Sequence, residues 1–369
     1  MALFSPDIFY VHFPTLWRIY SLNCLRKPTL RLVVFTNIIL IASILLICVN
    51  IFFRILDEIF FRGYRKTDLN KAIFLIANPR SGTTLLLNIL SCHSKKIKTL
   101  KLYHTLFPSV TFIKMVSIVS RIDKLLGSPL TSLFKLISSK GFKGWEGIHP
   151  IGLNKNEEDE GIWFLSFLTP AVVLFTPYAS EFSYLNVLDK LDKPTISKSM
   201  KFYMSSLQRI YYALGNEGVF LIKSVMSSGR IHSIRQNFPQ AQFIHVKRSI
   251  HKTLPSYTSM FSKTWNLISS EIEPKEYKAL GQTAIDFFNH TSKYINNTNA
   301  HIVDYEDLIN DPLSTAIRLL DDLKIQIEKE DIQNLKQEIK QAAKFKSRNK
   351  YSLNAFGWME DEIEALIKD

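Results

Sequence analysis

Cysteine is scarce in this sequence: its 369 residues include only Cys24, Cys48 and Cys92. Three scattered cysteines exclude a disulfide framework and a cysteine-based zinc site, and they fit a reducing compartment. Glycine (13) and proline (14) are too few for a collagen-like repeat, and an apolar fraction of 46% excludes a disordered chain. A chain of this length can bury one large core or two ordinary ones.

Acidic residues are fewer than basic ones, 33 against 46, so the formal net charge is +13. This excess favours an anionic partner, which composition leaves open among nucleic acid, a phosphate-bearing ligand and an acidic membrane. The sequence has no recognisable nucleic-acid-reading module and no basic stripe with interleaved aromatics. Nucleic acid is therefore the weakest of the three partners.

Charge is absent from residues 32–53, a run that reads LVVFTNIILIASILLICVNIFF. About 20 apolar residues cross a bilayer core as a helix, so the run predicts a transmembrane helix. Arg31 and Arg54 at its borders are expected to reach lipid head groups. The aromatic-rich residues 1–31 suit a membrane interface, and packing on the folded domain is their alternative. A buried core helix is the alternative. Basic residues on the two sides are too evenly matched to give an orientation.

Short apolar runs alternate with helix-compatible stretches over the rest of the chain. This alternation predicts an α/β fold, a parallel sheet covered by helices on both faces. The predicted strands are residues 72–77, 219–222, 242–246 and 300–304. Two further apolar stretches, 107–142 and 163–178, are interpreted as core or substrate-pocket helices rather than membrane-dipping ones, and prolines interrupt the second.

The sharpest local signal lies in residues 73–90, IFLIANPRSGTTLLLNIL. A buried strand leads through a tight turn into a helix that starts near Thr83, and the first amides and the dipole of such a helix attract an anion. Arginine and hydroxyl side chains add further donors at the same place. We therefore predict a phosphate-type anion site formed by Arg80, Ser81, Gly82, Thr83 and Thr84.

The loop is not a Walker A motif, which has the pattern G-x-x-x-x-G-K-[ST] with lysine directly after glycine. In this sequence Thr83 follows Gly82, and the cation precedes the glycine at Arg80. A P-loop nucleotide kinase or NTPase, which would depend on Mg²⁺ and ATP, is therefore the weaker interpretation. An ordinary strand–turn–helix with an exposed arginine is the alternative without function.

A second basic element lies in residues 243–260, FIHVKRSIHKTLPSYTSM. Lys247 and Arg248 end a predicted strand, and Ser256 follows Arg248 by eight positions in a helix-compatible stretch. A basic residue at a strand end and a hydroxyl from the next helix can hold one more phosphate. Taken alone, the element would be better explained as a solvated basic loop.

Together, the two elements resemble the sulfotransferases that use 3′-phosphoadenosine 5′-phosphosulfate (PAPS) as donor, in a membrane-anchored and largely bacterial branch. The resemblance covers residues 71–363 and continues in order through the segments 148–164, 220–248, 302–312 and 350–363. It implies a P-loop-like three-layer fold with a central parallel sheet. It also divides the chain into an N-terminal interfacial segment (1–31), a transmembrane helix (32–53) and a sulfotransferase domain (66–369).

The resemblance assigns donor-binding roles to the residues of both elements. It implies that Arg80 and the loop that follows it hold the 5′-phosphosulfate. It implies further that Arg248 and Ser256 hold the 3′-phosphate of PAPS, or of PAP, the product 3′,5′-ADP. Lys223 is expected to line the same cleft, with a surface charge as its alternative. The chemistry requires no metal ion, and the sequence shows no convincing cluster of metal ligands.

A general base must take the proton of the acceptor. His104 stands where this branch often has glutamate, and the ordinary pKa of histidine near neutrality suits the task, so it is the first candidate. His149 is the second candidate, and a structural role is the alternative for either histidine. Glu158 and Asp159 are expected to hold the start of a helix.

The predicted acceptor is a hydroxyl or an amine, and the apolar segments favour one at the membrane, such as a lipid or a glycan-lipid. A bacterial protein would place the catalytic domain on the cytoplasmic face, where PAPS is made, as a single-pass membrane protein. A Golgi enzyme would place it in the lumen. A catalytically inactive membrane-anchored binding protein is the remaining alternative, and the sequence leaves the oligomeric state open.

Overall fold

Among the described residues, a parallel sheet of five strands forms the centre of the molecule. The computed structural model describes residues 5–92, 96–130, 132, 155–269, 271–296, 299–342 and 352–367. The strands are Ala72–Ala77 (β1), Ile97–Thr99 (β2), Val219–Lys223 (β3), Gln242–Lys247 (β4) and His301–Asp304 (β5). They lie in the order β2-β3-β1-β4-β5, and every neighbouring pair is parallel. The predicted α/β fold is confirmed.

Helices precede the sheet and cover both of its faces. The first two are Phe13–Tyr20 (α1) and Leu30–Phe60 (α2), with a π-helical segment, Ser21–Arg26, between them. Among the described residues, the other α-helices are Thr83–Ser91 (α3), Leu102–Leu106 (α4), Val110–Leu125 (α5), Glu160–Ser166 (α6), Lys193–Ala213 (α7), Ile231–Asn237 (α8), Ile250–Ile268 (α9), Pro274–Ile295 (α10), Tyr305–Asn310 (α11), Pro312–Asp322 (α12), Lys329–Ala342 (α13) and Glu360–Leu366 (α14).

The central strand β1 is buried along its whole length because it pairs on both sides and is covered on both faces. Alternate residues of a strand point to opposite faces of the sheet. Phe74 and Ile76 accordingly belong to a core shared with α7 and α8. Ile73 and Leu75 belong to a second core, shared with α3, α12 and α13. One continuous apolar run therefore supplies both layers of the core.

Four of the strands begin and end within one residue of the bounds that the sequence predicts. The edge strand β2 is the one that the prediction missed. Its three residues pair with β3 at 97–99, but only Ile97 is buried. A run this short, with a lysine at its centre, lacks the apolar pattern by which a strand is recognised.

The apolar stretch 163–178 is part of the core, as predicted. It contains the end of α6 and a 3₁₀ helix, Pro170–Phe175, in which Val172 is fully buried. The stretch 107–142 contains α5, most of which is exposed, and runs on into residues outside the described part of the chain. For the exposed face of α5 a place in the core is therefore wrong, and a substrate-pocket role stays a prediction.

Among the described residues, α2 is the one helix long and apolar enough to cross a membrane. It is thus a candidate for a single membrane span, and it is longer at its C-terminal end than the predicted 32–53. The expectation that Arg54 reaches lipid head groups is wrong. Its side chain is fully buried and donates hydrogen bonds to the carbonyls of Pro108 (3.0 Å) and Asp7 (2.7 Å) and to Ser206 Oγ (2.9 Å).

Candidate functional site

The predicted anion loop follows β1 at the carboxyl edge of the sheet, where ligands of open α/β folds bind. The backbone is left-handed at Arg80 (φ 72°) and Gly82 (φ 78°), and α3 begins directly afterwards at Thr83. The side chains of Asn78 and Ser81 are buried there, and their polar atoms have no hydrogen-bond partner among the described residues. Buried polar groups are normally satisfied, so these two side chains are available to a polar ligand.

Glycine is required at position 82 for two reasons. Its φ lies in the left-handed region, which side chains disfavour. A Cβ at this position would also lie 2.9 Å from Cε2 of Tyr305, which begins α11 after strand β5. The tyrosine of the Tyr-Glu-Asp-Leu segment therefore packs directly against the anion loop.

The two predicted phosphate-binding elements are brought into contact. Arg80 Nε donates a hydrogen bond to Ser256 Oγ (3.0 Å), and Arg248 Nη1 donates one to the backbone carbonyl of Arg80. The Arg248 guanidinium also lies 3.8 Å from the ring centroid of Tyr305, a cation–π contact. Sequence reasoning placed Arg248 and Ser256 in one site, but it gave no role to the tyrosine that holds the arginine in place.

Lys223, the last residue of β3, is almost completely buried, so it is not the surface charge that the sequence allowed as an alternative. Its Nζ donates a hydrogen bond to Thr84 Oγ1 (2.9 Å) and lies 3.9 Å from Glu158 Oε2. The lysine thus links the first turn of α3 to an acidic side chain on another segment.

The segment 156–159 lies between the carboxyl ends of β2 and β3. The backbone amide of Glu157 donates to the carbonyl of Leu100 (2.9 Å), and that of Asp159 donates to the carbonyl of Lys223 (2.9 Å). This pairing brings Glu158 to the edge of the sheet beside Lys223. The sequence did not predict the position of Glu158 beside Lys223, because the pairing joins segments that are about 55 to 65 residues apart in the chain.

Asp159 precedes α6, as expected, but its side chain does not cap the helix. Its Oδ2 accepts hydrogen bonds from the hydroxyls of Tyr203 and Ser224, while Oδ1 is buried without a partner among the described residues. Burial, with a smaller contribution from Glu160, raises the pKa of Asp159 to about 7. A carboxyl that can be protonated near neutral pH therefore lies beneath the site.

Beside Asp159, a buried ion pair joins Glu160 to Arg230. The guanidinium donates to both carboxylate oxygens, at 3.1 and 3.2 Å, and lies 4.1 Å from the ring of Trp163. Buried ion pairs of this kind keep their charges only with good geometry and extra contacts. The pair fixes the start of α6, and with it the segment that carries Glu158.

His104 lies on α4 and is buried. The backbone amide of Lys101 donates to its Nδ1 (3.1 Å), so the neutral ring carries its proton on Nε2, which has no partner among the described residues. Burial, with a smaller effect of Lys101, lowers its pKa to about 3. Neither nitrogen thus offers a free lone pair, which counts against His104 as a base. His149 lies outside the described residues.

Within the described part of the chain, no group of three or more His, Cys, Asp or Glu side chains could hold a metal ion. The polar groups of the site are instead cations, hydroxyls and backbone amides around the loop after β1. Such donors bind a phosphate or sulfate directly. The arrangement can therefore hold two neighbouring anionic groups. The carboxylate of Glu158 lies beside them.

The family model and the solved structures that match this chain point to the same family. Residues 72–329 match the model of a family described as the Sulfotransferase family. Sulfotransferase STF1 from Mycobacterium tuberculosis H37Rv has a similar structure, with a TM-score of 0.68 at 15% identity, over 96% of this chain and 90% of that one. Sulfotransferase STF9 from Mycobacterium avium has a TM-score of 0.64 at 16% identity, over 83% of this chain and 77% of that one. A search of curated protein sequences gave no match.

Proposed function

The chain belongs to the sulfotransferase family, and we propose that it moves a sulfuryl group from PAPS to a hydroxyl or amine acceptor. The observation that carries the choice of donor is the contact between the two anion elements. Arg80 binds Ser256, and Arg248 binds the backbone of Arg80, so one ligand with two separate phosphates can touch both. A donor with a 5′-phosphosulfate and a 3′-phosphate has this property.

In the proposed donor complex, the loop after β1 holds the 5′-phosphosulfate. Its donors are the side chains of Asn78 and Ser81, which have no partner among the described residues, the amides at the start of α3 and the charge of Arg80. Arg248 and Ser256 hold the 3′-phosphate. Tyr305 restricts Arg248 to one orientation, which lowers the entropic cost of binding.

The proposed reaction is an in-line displacement at sulfur. The acceptor oxygen forms a bond to sulfur, the bond from sulfur to the 5′-phosphate oxygen breaks, PAP leaves, and the acceptor proton passes to a base. By analogy with phosphoryl transfer, positioning and stabilisation of negative charge provide most of the catalysis. Arg80 and Lys223 are the cations placed to stabilise the leaving phosphate, since Lys223 already contacts Thr84 on α3.

Three groups are candidates for the base: His104 and His149 from the sequence, and Glu158 from the structure. We favour Glu158 because it lies beside Lys223 at the sheet edge and its side chain is 22% exposed. His104, by contrast, has no free lone pair in its observed hydrogen-bonding arrangement. The resemblance leads us to expect a glutamate at the position of His104. Glu158 would supply that carboxylate from a different segment of the chain.

We further propose that the acceptor is carried by a lipid or glycan-lipid. Asn50 of α2 donates a hydrogen bond to the carbonyl of Leu106 (2.9 Å), the last residue of α4. The helix that is a candidate for the membrane therefore contacts the helix that follows β2 at the carboxyl edge of the sheet. In a bacterium, the catalytic domain would then work on the cytoplasmic face, where PAPS is made.

Binding of PAP to the full-length chain in detergent tests the proposed donor. Arg80→Ala removes a charge-assisted contact, so we expect the affinity for PAP to fall about 10- to 100-fold. Arg235→Ala, on the exposed end of α8, is the matched control and should leave the affinity unchanged. Isothermal titration calorimetry measures both. An Arg80→Ala variant that binds PAP as tightly as the unmodified protein would overturn the assignment of the loop.

Two further measurements separate the alternatives. A nucleotide kinase or NTPase would bind ADP at least as tightly as PAP and would need Mg²⁺, whereas the proposed enzyme should transfer label from PAPS in excess EDTA. An inactive binding protein would bind PAP and transfer nothing to any acceptor.

Incubation with labelled PAPS and a lipid extract tests the acceptor, and label confined to water-soluble products would contradict the lipid proposal.

A further inference from the structure

The outward side of α2 is apolar from one end of the helix to the other. Nine large apolar residues at helical spacing are between 38% and 67% exposed: Val34, Ile38, Ile41, Ile44, Leu45, Val49, Phe52, Ile59 and Phe60. Such a stripe exposes far more contiguous apolar surface than soluble monomers usually do. A hydrophobic partner must therefore cover it.

The inward side of α2 carries the polar residues and holds the helix to the domain at both ends. Near its start, Thr36 Oγ1 accepts a hydrogen bond from Asn23 (2.9 Å). Near its end, Asp57 accepts from the backbone amides of Val110 (3.0 Å) and Thr111 (2.7 Å) and forms an ion pair with Arg209 (3.1 Å). Near its two ends the helix thus turns polar residues towards the protein, while no residue of 37–49 is buried and the outward side is apolar.

These attachments are far apart along the helix. At 1.5 Å per residue, Thr36 and Asp57 are separated by about 32 Å, close to the thickness of a bilayer core. The groups that bind them belong to the folded domain around the sheet and to the segment before α2. If α2 crossed the bilayer, this polar side of the domain would have to enter the hydrocarbon with it, at a high cost.

The apolar surface continues on α5, which packs beside α2. Its exposed apolar residues are Met115, Ile118, Val119, Ile122 and Leu125, and Leu126 follows them. If α2 crossed a membrane alone, its neighbour α5 would not need to expose apolar residues as well. A surface of two adjacent helices suits a partner that is flat and extended.

The charges of the same segments complement an anionic partner. Exposed basic residues accompany the apolar surface: Arg26, Arg31, Lys66, Arg121 and Lys124. The acidic residues within 13–66 and 110–130 are Asp57, Glu58 and Asp123, and all three are buried. The segments therefore present positive charge and no exposed carboxylate, which favours the head groups of acidic lipids.

We propose that α2 and α5 form a monotopic membrane-binding surface that lies in one leaflet of an anionic bilayer, with α2 along the membrane plane instead of across it. Helices of this kind bury their apolar side at the level of the head groups and upper acyl chains. In this protein the polar residues near the two ends of α2 are buried against the folded domain and the segment that precedes the helix. The proposal goes beyond sulfuryl transfer, because it does not depend on which donor or acceptor the site binds.

Single cysteines at the two ends of α2 test the orientation. In a background of Cys24→Ser, Cys48→Ser and Cys92→Ser, Arg31→Cys and Lys66→Cys each place one thiol at an exposed position. Right-side-out and inside-out vesicles from the expressing bacterium are treated with a membrane-impermeant maleimide. We expect both thiols to be labelled in the same type of vesicle. Labelling of the two ends in opposite types would overturn the proposal.

A paired substitution on α5 tests the surface itself. Ile118→Glu with Ile122→Glu places two charges at half-exposed positions and should reduce binding to vesicles that contain phosphatidylglycerol about tenfold or more. Gln333→Glu with Gln337→Glu, at the same spacing on exposed positions of α13, is the matched control. Far-UV circular dichroism and the melting temperature show that each variant is folded.

Two outcomes of this second experiment would contradict the proposal. The first is that the α5 variant keeps full affinity for the vesicles, since a surface in the membrane cannot accept two added charges without loss. The second is a soluble dimer that forms without lipid and that the α5 variant dissociates, since the surface would then bind a second copy of the chain.

Discussion

Lys223 shows how burial restricts what a single residue can do. A lysine residue that is 3% exposed needs anionic or hydroxyl partners for its ammonium group, and Lys223 has Thr84 and Glu158. At 3.9 Å the ion pair with Glu158 is loose. In the proposed donor complex, the phosphosulfate would therefore replace Glu158 as the partner of Lys223, and the glutamate carboxylate would be left ready to accept a proton.

Substitution of Glu158 tests its proposed role as the base. Glu158→Gln keeps the shape of the side chain but cannot accept a proton, so we expect kcat to fall about 10²- to 10⁴-fold. Binding of PAP should not weaken, because the substitution removes a negative charge from beside Lys223. Steady-state kinetics with labelled PAPS and calorimetry measure the two quantities.

His104→Gln is the companion variant, and it should retain most of kcat if Glu158 is the base. The opposite pattern, with Glu158→Gln active and His104→Gln inactive, would return the role to the histidine that the sequence favours. If both variants keep near-normal turnover, the base lies elsewhere, and His149 becomes the first residue to examine.

At the scale of elements, the residues just after the strands, together with the last residue of β3, make the site. The loop after β1 carries Arg80 and Gly82, β3 ends in Lys223, the residue after β4 is Arg248, and Tyr305 comes directly after β5. The parallel order brings all of these to one edge of the sheet. Since β1 is the central strand, its loop touches groups from both sides.

Gly82→Ala tests the fit between two of these elements. The added Cβ would meet Tyr305 at 2.9 Å and would stand at a φ of +78°, so either the loop or the tyrosine must shift. We expect a loss of PAP affinity of at least tenfold and a lower melting temperature, since alanine at a left-handed position costs about 1 kcal/mol or more. Thermal unfolding with and without PAP measures both effects.

Gly357→Ala is a suitable control for the cost of placing alanine at a left-handed φ without a steric contact. Gly357 also has a left-handed φ (+74°), but a Cβ there meets no described residue within 4 Å. It should lower the melting temperature without a change in PAP affinity. Equal effects of the two substitutions on affinity would show that the contact with Tyr305 is unimportant.

The sequence predicts elements whose signal is local and misses contacts between distant segments. Strand β1, the turn at Gly82 and the helix after it are all contained in residues 72–91, so they are readable directly. The contact between Arg248 and Tyr305 depends on β4 and β5 being neighbours, and the place of Glu158 depends on a segment paired between β2 and β3. The Arg54 side chain points into the protein because of how the whole N-terminal region packs.

At the scale of the whole molecule, buried titratable groups make the free energy of unfolding depend on pH in two opposite ways. Burial lowers the pKa of His104 to about 3 and that of His245 to about 4. Unfolding restores a value near 6.5, so below that pH the unfolded chain binds more protons and stability falls as the pH falls. Asp159 acts in the other direction, because its pKa is raised in the folded protein.

Asp159→Asn isolates the acidic contribution. Between an unfolded pKa near 3.8 and a folded pKa of about 7, the folded protein holds a proton on Asp159 that the unfolded chain has lost, so rising pH destabilises the fold. Asparagine can still accept hydrogen bonds from Tyr203 and Ser224 but does not titrate. We therefore expect the variant to gain stability over the unmodified protein as the pH rises from about 4 to about 7, by a few kcal/mol in all, with no further gain above that range. Urea unfolding of the full-length chain in one detergent at pH 4.5, 6 and 8 measures the difference, and a difference that stays constant over this range would show that Asp159 is ionised throughout.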